Sequence, residues 1–596
     1  VLLIAMMGCQ GNLTEGALPG QCSDAADNDL DGLFDCNDPD CAGAPDCAQS
    51  IFECIPDIDP SNPPLGRFET MTQGAGLFEL DRTEVGLGGN GIGVGDVNGD
   101  ERPDLFLAGN LMSWGGVANR MYVNQGHGVF TEEAVDLGLP LGASGSAHNV
   151  PSQTDIAPIF ADYDNDGDDD LFLVGATFNT LLRNDDGRFT DVSEESGFIG
   201  ERVFSTGIAL ADYNGDSYLD VLVVNHQLVP DDLGNEGAPG NEDSGEEEPL
   251  VGVADSLYRN NGDGTFTDVS HLIPEPEVAG MGFAASWLDV DRDGDPDLYV
   301  VNDEGLVLQP NQLYRNDGSD GNGGWIFTNV SDSCGCQIAM FGMGTAIGDY
   351  DRDGDQDLYI TNLNEGGGEV LLQSQGDGMH VDVTLTAAAR TGNSGARTTS
   401  WGTEFVDVDN DGFLDLFTAF GSLLNPEDQN SLIPAPNVML RGNGSTFSVI
   451  ADSGVEGSQG SSEGAVAVDY DLDGCMDLVV QNLDGQPALY RNQCEGEGSW
   501  IGFVLEGTLS NRDAVGAELR LVSEGATQYA QVFAGSTSVH SGRTKKLHFG
   551  LGNASTVETV QVSWPSGCVE QFPPPLPGCY YPLREGDGFD GNGQCG

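Results

Sequence analysis

Seven short stretches of this chain set oxygen-bearing side chains at alternate positions. The fifth reads "DYDRDGDQDLYITN", from Asp349 to Asn362. Counted from Asp349, carboxylates stand at positions 1, 3, 5 and 9 (Asp349, Asp351, Asp353 and Asp357), and the carbonyl of Asp355 stands at position 7. Bare carboxylates this close repel one another. Oxygens at alternate positions of one short loop are instead the donor set of a hard cation, with the odd side chains converging and the position 7 carbonyl joining them. The first loop offers Asp96, Asn98, Asp100 and Asp104 with the carbonyl of Arg102. The second offers Asp162, Asp164, Asp166 and Asp170 with that of Asp168, and the third Asp212, Asn214, Asp216 and Asp220 with that of Tyr218. The fourth offers Asp289, Asp291, Asp293 and Asp297 with Asp295. The sixth offers Asp407, Asp409, Asp411 and Asp415 with Phe413, and the seventh Asp469, Asp471, Asp473 and Asp477 with Cys475.

Calcium suits such loops better than magnesium, which keeps its waters, or zinc, which favours Cys and His. Five loops have Gly at position 6, whereas the first and third have it at position 4 (Gly99 and Gly215). An EF-hand begins the same way but needs Glu at position 12. Here position 12 is Leu107, Leu173, Val223, Val300, Ile360, Thr418 or Val480, and the flanks alternate like strands.

The elements that must position these loops repeat with them, at spacings of 50 to 77 residues. A small-residue segment such as "GMGTAIG" precedes each loop, and a β-rich run such as "LYVVN" follows. Then comes a turn of the form "LYRNNGDGTFTDVS". Each unit therefore reads strand, acidic loop, strand, strand, Gly/Asn turn, strand. Four strands in each of seven units predict an all-β fold, a seven-bladed β-propeller with calcium loops, followed by a small β domain. The longest gap holds an acidic stretch near 230–249, expected as a surface insertion that is either a disordered acidic spacer or a contact loop at the rim of the third blade.

By loop register and turn pattern, residues from about 65 to 493 resemble FG-GAP/VCBS repeats, also found in integrin α-subunit propellers. The resemblance implies calcium between the first two strands of each blade, a structural role for the metal, and ligands bound elsewhere on the propeller face. After the seventh unit the acidic loops stop and alternation continues. Asn511, Gly516, Gly535, His548, Phe549, Gly550, Leu551, Gly552, Trp564, Pro565 and Gly567 resemble the motifs of the ASPIC/UnbV module. The combination is similar to the cartilage acidic protein family. The expected division is a signal remnant at 1–9, a Cys-rich acidic segment at 10–64, the propeller at 65–495, the β domain at 496–572 and a Pro/Gly-rich tail at 573–596.

The chain begins with a short apolar run, Val1 to Met7, before Gly8-Cys9. This resembles the end of a bacterial lipoprotein signal with Cys9 lipidated, and an ordinary secretory segment is the alternative. Either sends the protein out of the cytoplasm, to the cell surface or the medium. Of 13 cysteines, five cluster between Cys22 and Cys54, which in an exported chain reads as disulfides. Cys475/Cys494 and Cys568/Cys579 are plausible pairs, and Cys334 and Cys336 stay ambiguous. The Cys-rich segment carries an eighth copy of the register, Asp27, Asp29, Asp31 and Asp35 with the carbonyl of Leu33, flanked by Cys22 and Cys36.

A net charge of −76 with only 21 Lys and Arg excludes nucleic acid as a partner. Hydrophobic residues at 39% supply a sizeable core, so the acidity is not that of a disordered chain. No metalloprotease, nucleophile-elbow or phosphate-loop motif is present, and the seven His are scattered. His548 reads as structural. The expected function is that of an exported calcium-binding module for adhesion or binding, with no catalytic residues and an unknown extracellular protein or glycan as partner. A polysaccharide hydrolase or lyase, and a passive surface protein, are the alternatives.

Overall fold

In the computed structural model the described residues are 68–590 without 73, 78–90, 110–118, 140–154, 176–177, 229–250, 275–277, 364–367, 392–397, 422–423, 426–427, 433–434, 457–460, 483–486, 495–497 and 539. Cys9, the eighth acidic motif from Asp27 to Asp35 and the 230–249 insertion lie outside them.

The described chain is almost entirely β. Its helical elements are the single turn Ser193–Ser196 and the 3-10 turn Ser270–Leu272. Every acidic loop bridges two antiparallel strands in the same way: the first strand ends one residue before position 1, and the second starts at position 9. In the fifth unit these are Gly342–Gly348 and Asp357–Asn362, paired Ala346 to Tyr359. Val370–Ser374 and His380–Asp382 complete that sheet in sequence order. Six other sheets follow the same strand order. Their apolar residues face both ways because each sheet packs between two neighbours. Tyr359 and Ile360, adjacent on one strand, are both fully buried.

Apolar clusters join consecutive units. One contains Phe106 and Met121 of the first unit with Phe160 and Leu171 of the second. Another contains Val466 and Leu489 of the seventh with Ile92 and Leu105 of the first. The seventh sheet takes its outer strand from the start of the described chain: Phe68–Thr70 pairs with Ala488–Asn492, Phe68 opposite Asn492. Phe68 is buried beside Val455 and Tyr490, a burial that contributes about 1.5–3 kcal/mol. The architecture is thus a β-propeller-like array followed by a small β domain.

That small domain has two sheets. One is ordered Leu547–Gly552, Ser499–Glu506, Tyr580–Arg584. The other has Glu518–Ser523 between Ala526–Gln531 and Thr559–Ser563, and its alternating burial gives it one packed face. The stretch expected as a tail from 573 supplies Tyr580–Arg584, which pairs in parallel with Ser499–Glu506. It is part of the domain because its Tyr580 and Leu583 are buried.

The domain is not a free appendage. Its 534–546 segment, which contains "GSTSVHSG", runs between the first strands of four units. Ala534 and Gly535 pair with Leu210 and Ala209 of the third. Thr345 of the fifth donates its N–H to Thr537 O, and Ala465 of the seventh donates to Ser541 Oγ, at 2.8 Å each. Gly542 donates to Ile92 O of the first at 2.7 Å. The small residues of those strands make this approach feasible: a Cβ at Gly344 would stand 2.6 Å from Thr537 O.

Candidate metal centres

The seven loops share one internal wiring. The carboxylate at position 1 accepts the N–H groups of positions 5 and 6. Asp349 takes those of Asp353 and Gly354 at 3.0 Å each, and Asp96 takes those of Asp100 and Glu101. Positions 4 and 6 are left-handed throughout. In the fifth loop Arg352 has φ 63° and Gly354 φ 94°; in the first Gly99 has φ 68° and Glu101 φ 65°. Glycine therefore fills one of two left-handed places, which explains its move from position 6 to position 4 in the first and third loops.

Position 9 opens the second strand and is fully buried in all seven loops. Its carboxylate binds two backbone N–H groups. Asp477 accepts from Tyr470 at 3.3 Å and from Asn492 at 2.6 Å, and Asp104 accepts from Val97 and Asn124. Burial pushes this carboxylate up to about 8 at Asp104 and Asp297, and to about 9 at Asp170 and Asp357. Burial also raises Asp220, Asp415 and Asp477 well above the usual carboxylate range. A buried carboxylate without a countercharge favours its protonated form, and a cation would hold it ionised.

Carboxylate oxygens of positions 1, 3 and 9 lie within 4.8 Å of one another in four loops: Asp162, Asp164 and Asp170; Asp289, Asp291 and Asp297; Asp407, Asp409 and Asp415; Asp469, Asp471 and Asp477. In the fifth the group is Asp349, Asp351 and Asp353. Position 5 side chains also brace the loop, as Asp166, Asp293 and Asp473 each accept the N–H of position 7. Position 3 is where a ligand is missing. Oδ1 of Asp164, Asp291 and Asp471 is buried with no hydrogen-bond partner. Such orphaned acceptors inside a ring of carboxylates fit a bound cation. Arginines approach from outside, Arg441 at 2.5 Å from Asp409 and Arg491 at 2.7 Å from Asp471. The third loop differs, because Asn214 donates its amide to Asp220 at 3.3 Å.

Two features were not read from the sequence. The Asn that ends the third strand donates its side-chain amide to the position 2 carbonyl of the preceding unit: Asn184 to Val97 O, Asn260 to Tyr163 O, Asn316 to Tyr213 O and Asn492 to Val408 O. Asn124 does the same to Tyr470 O at 2.8 Å, linking the first unit to the seventh. The recurring "RN" before each turn was the available signal. The second feature is that the small β domain sits on the loop face. Asp162 donates its N–H to Asp513, Lys545 bridges Asp169 and Asp513, and Tyr580 donates its hydroxyl to Asp469 at 3.1 Å. His548, neutral because burial pushes it down to about 3, bonds Asn410 at 2.7 Å, in keeping with a structural role.

Disulfides join Cys475 to Cys494 and Cys334 to Cys336, and Cys568 and Cys579 are both disulfide-bonded. Position 7 of the seventh loop is thus tied to the end of its own sheet.

Comparison with known proteins agrees with this geometry. An FG-GAP-like repeat model matches 162–223, 250–300, 289–360 and 349–418, and an ASPIC and UnbV model matches 507–588. Cartilage acidic protein 1 of Mus musculus is 26% identical over 277 residues, covering 46% of this chain and 40% of its own length. The Homo sapiens protein is 26% identical over the same share of this chain and 39% of its own. The match thus spans about two fifths of these relatives. Among solved structures, an Agrocybe aegerita lectin specific for non-reducing terminal N-acetylglucosamine overlaps 71% of this chain and 90% of its own, at 17% identity and TM-score 0.40. AofleA from Arthrobotrys oligospora overlaps 62% and 88%, at 11% identity and TM-score 0.32. At these scores neither bears on function.

The bacterial assignment drawn from Gly8-Cys9 is corrected by the relatives, which come from mouse, frog and human. A seven-residue apolar run before Gly-Cys is too short and too generic a signal to identify a lineage. The chain matches FG-GAP-like repeats between 162 and 418 and an ASPIC and UnbV domain over 507–588, and over 46% of its length it is similar to the cartilage acidic proteins.

Proposed function

We propose that this is an exported, non-enzymatic binding protein built on a closed seven-bladed propeller that holds calcium in its seven loops. Its ligands are the sets named above, from Asp96, Asn98, Asp100, Arg102 O and Asp104 in the first loop to Asp469, Asp471, Asp473, Cys475 O and Asp477 in the seventh. The observation that carries the reading is the orphaned position 3 oxygen of Asp164, Asp291 and Asp471, each grouped with two further carboxylates. Closure is supported by the bond from Asn124 to Tyr470 O and by the apolar contact between the seventh and first units. The propeller would occupy 65–495 and the small domain 496–590, with an eighth calcium at Asp27, Asp29, Asp31, Leu33 O and Asp35. Disulfides support an oxidising, extracellular setting. The partner would be an extracellular protein or glycan.

Calcium counting tests it. Full-length chain dialysed against ~1 mM calcium should retain about seven ions, with affinities near those of extracellular modules. Metal analysis that finds no calcium above the dialysis buffer overturns the proposal.

A further inference from the structure

Between the loop face and the small β domain lies a cleft whose walls include candidate calcium ligands such as Asp289 and Asp349 and side chains that take no part in the loops. Two cavities of about 410 and 150 Å³ share Ile347, Gln356, Tyr529, Gln531, Phe533 and Arg543 as walls, so they are lobes of one cleft. The larger lobe has the size of small-molecule sites. Gln356 is only 9% exposed, and its Nε2 has no hydrogen-bond partner. A buried amide donor left unmet is destabilising, and Gln356 is part of the wall of both lobes. Where the lobes meet, Arg543 stands 3.9 Å from Glu404, beyond hydrogen-bond distance. Tyr529 and Phe533 add aromatic surface.

These groups select a chemistry. Glu518, which belongs to no acidic loop, lines the larger lobe and disfavours an anion. An ammonium or guanidinium offers no acceptor to Gln356. A hydroxyl both donates and accepts, so it can serve Gln356, Arg543 and Glu404 alike, and the C–H face of a sugar ring lies well on an aromatic side chain. We infer that the cleft binds a neutral oligosaccharide, an inference that rests on the protein being an extracellular binding module and names what it binds.

Trp287 and Trp564 line the larger lobe and supply an optical signal. Neutral trisaccharides of glucose, galactose, mannose and N-acetylglucosamine are titrated into the full chain at ~1 mM calcium, followed by tryptophan fluorescence and calorimetry. A chondroitin disaccharide and trilysine serve as the charged probes. At least one neutral trisaccharide should saturate, and Gln356→Leu and Tyr529→Ala should each weaken it by roughly five- to tenfold, the value of one good contact. Tyr529 lies on the small domain, outside every loop, so its variant should keep its calcium and melting temperature. Saturation only by a charged probe, no saturation at all, or undiminished binding by both variants overturns the cleft as a saccharide site. Calcium measured on the same samples separates the two ideas. Uptake without saccharide binding leaves the calcium reading standing. Absent uptake removes that reading, while the titration still decides the cleft.

Discussion

At the scale of the residue, position 9 does two jobs at once. Asp357 accepts the N–H of Tyr350 at 3.3 Å and of Ser374 at 2.8 Å while facing the loop interior. Asp357→Ala strands both donors in a buried place, at a cost of about 2–4 kcal/mol, whereas Asp357→Asn keeps one acceptor and loses the charge. Both variants should lose about one calcium, and the alanine variant should melt lower than the asparagine variant. Metal analysis, calorimetry and hydrogen exchange over 349–362 check this, and an alanine variant as stable as the parent contradicts it. His380 makes a different prediction. It is buried where the fourth and fifth units meet, its backbone N–H bonds Cys334 O, and both ring nitrogens lack hydrogen-bond partners. Burial pushes its pKa down from 6.5 to about 4. The unfolded chain therefore takes up this proton first as pH falls. Stability is intact above ~6.5, declines between ~6.5 and ~4 by about 3 kcal/mol, and changes no further through this group below that. His380→Phe should flatten that part of the curve, measured by urea unfolding in calcium at neutral pH and near pH 4.5. Parallel curves for parent and variant reject it.

At the scale of the element, the units are held together by apolar surface and, at five of the seven joints, by one side-chain amide. The fifth unit has Ser374 in place of the Asn, and Val290 O of the fourth accepts the N–H of Gly378 instead; the sixth has Gly442, which has no side chain to donate. Asn124→Ala removes the same bond between the first and seventh units and leaves Tyr470 O unpaired, which should cost about 1–3 kcal/mol. Exchange should then quicken at the 120–124 and 468–472 segments while the second and third units stay protected. A variant with unchanged exchange at both segments would show that apolar contact alone holds that joint. The repeating strands and acidic loops were readable because alternation and ligand spacing are local. Position 4 was not, since Arg292, Arg352 and Leu472 are side chains that rarely adopt a left-handed φ and gave no glycine to mark it. The amide joints and the seat of "GSTSVHSG" were hidden for another reason. Their partners lie far off in sequence, and a single chain carries no sign of which distant carbonyl an Asn or a Ser will meet. The stretch from 573 misled because its prolines suggested a tail, whereas Tyr580 and Leu583, just beyond them, are buried on a paired strand.

At the scale of the whole molecule, the proposed calcium binding would couple to assembly. The small domain touches the loops themselves, through Tyr580 on Asp469 and Asp513 on Asp162. With a Kd near 10⁻⁴ M per loop, ~1 mM calcium contributes roughly 1.4 kcal/mol per site, so the sum over the array is a large share of its stability. Chelation should lower the melting temperature of array and small domain together, seen as one broadened or shifted transition by calorimetry. A melting temperature equal in EDTA and in calcium would refute the coupling. The threaded segment also sets a timetable for biosynthesis. Residues 534–546 fill the space between the first strands of four units, and Phe68–Thr70 has no strand partner until Ala488–Asn492 has been made. The early units therefore leave the ribosome with an unpaired edge and an unfilled axis. The fold is completed only after synthesis is nearly over, and a prematurely ended chain presents the open strand edges on which incomplete β-proteins aggregate.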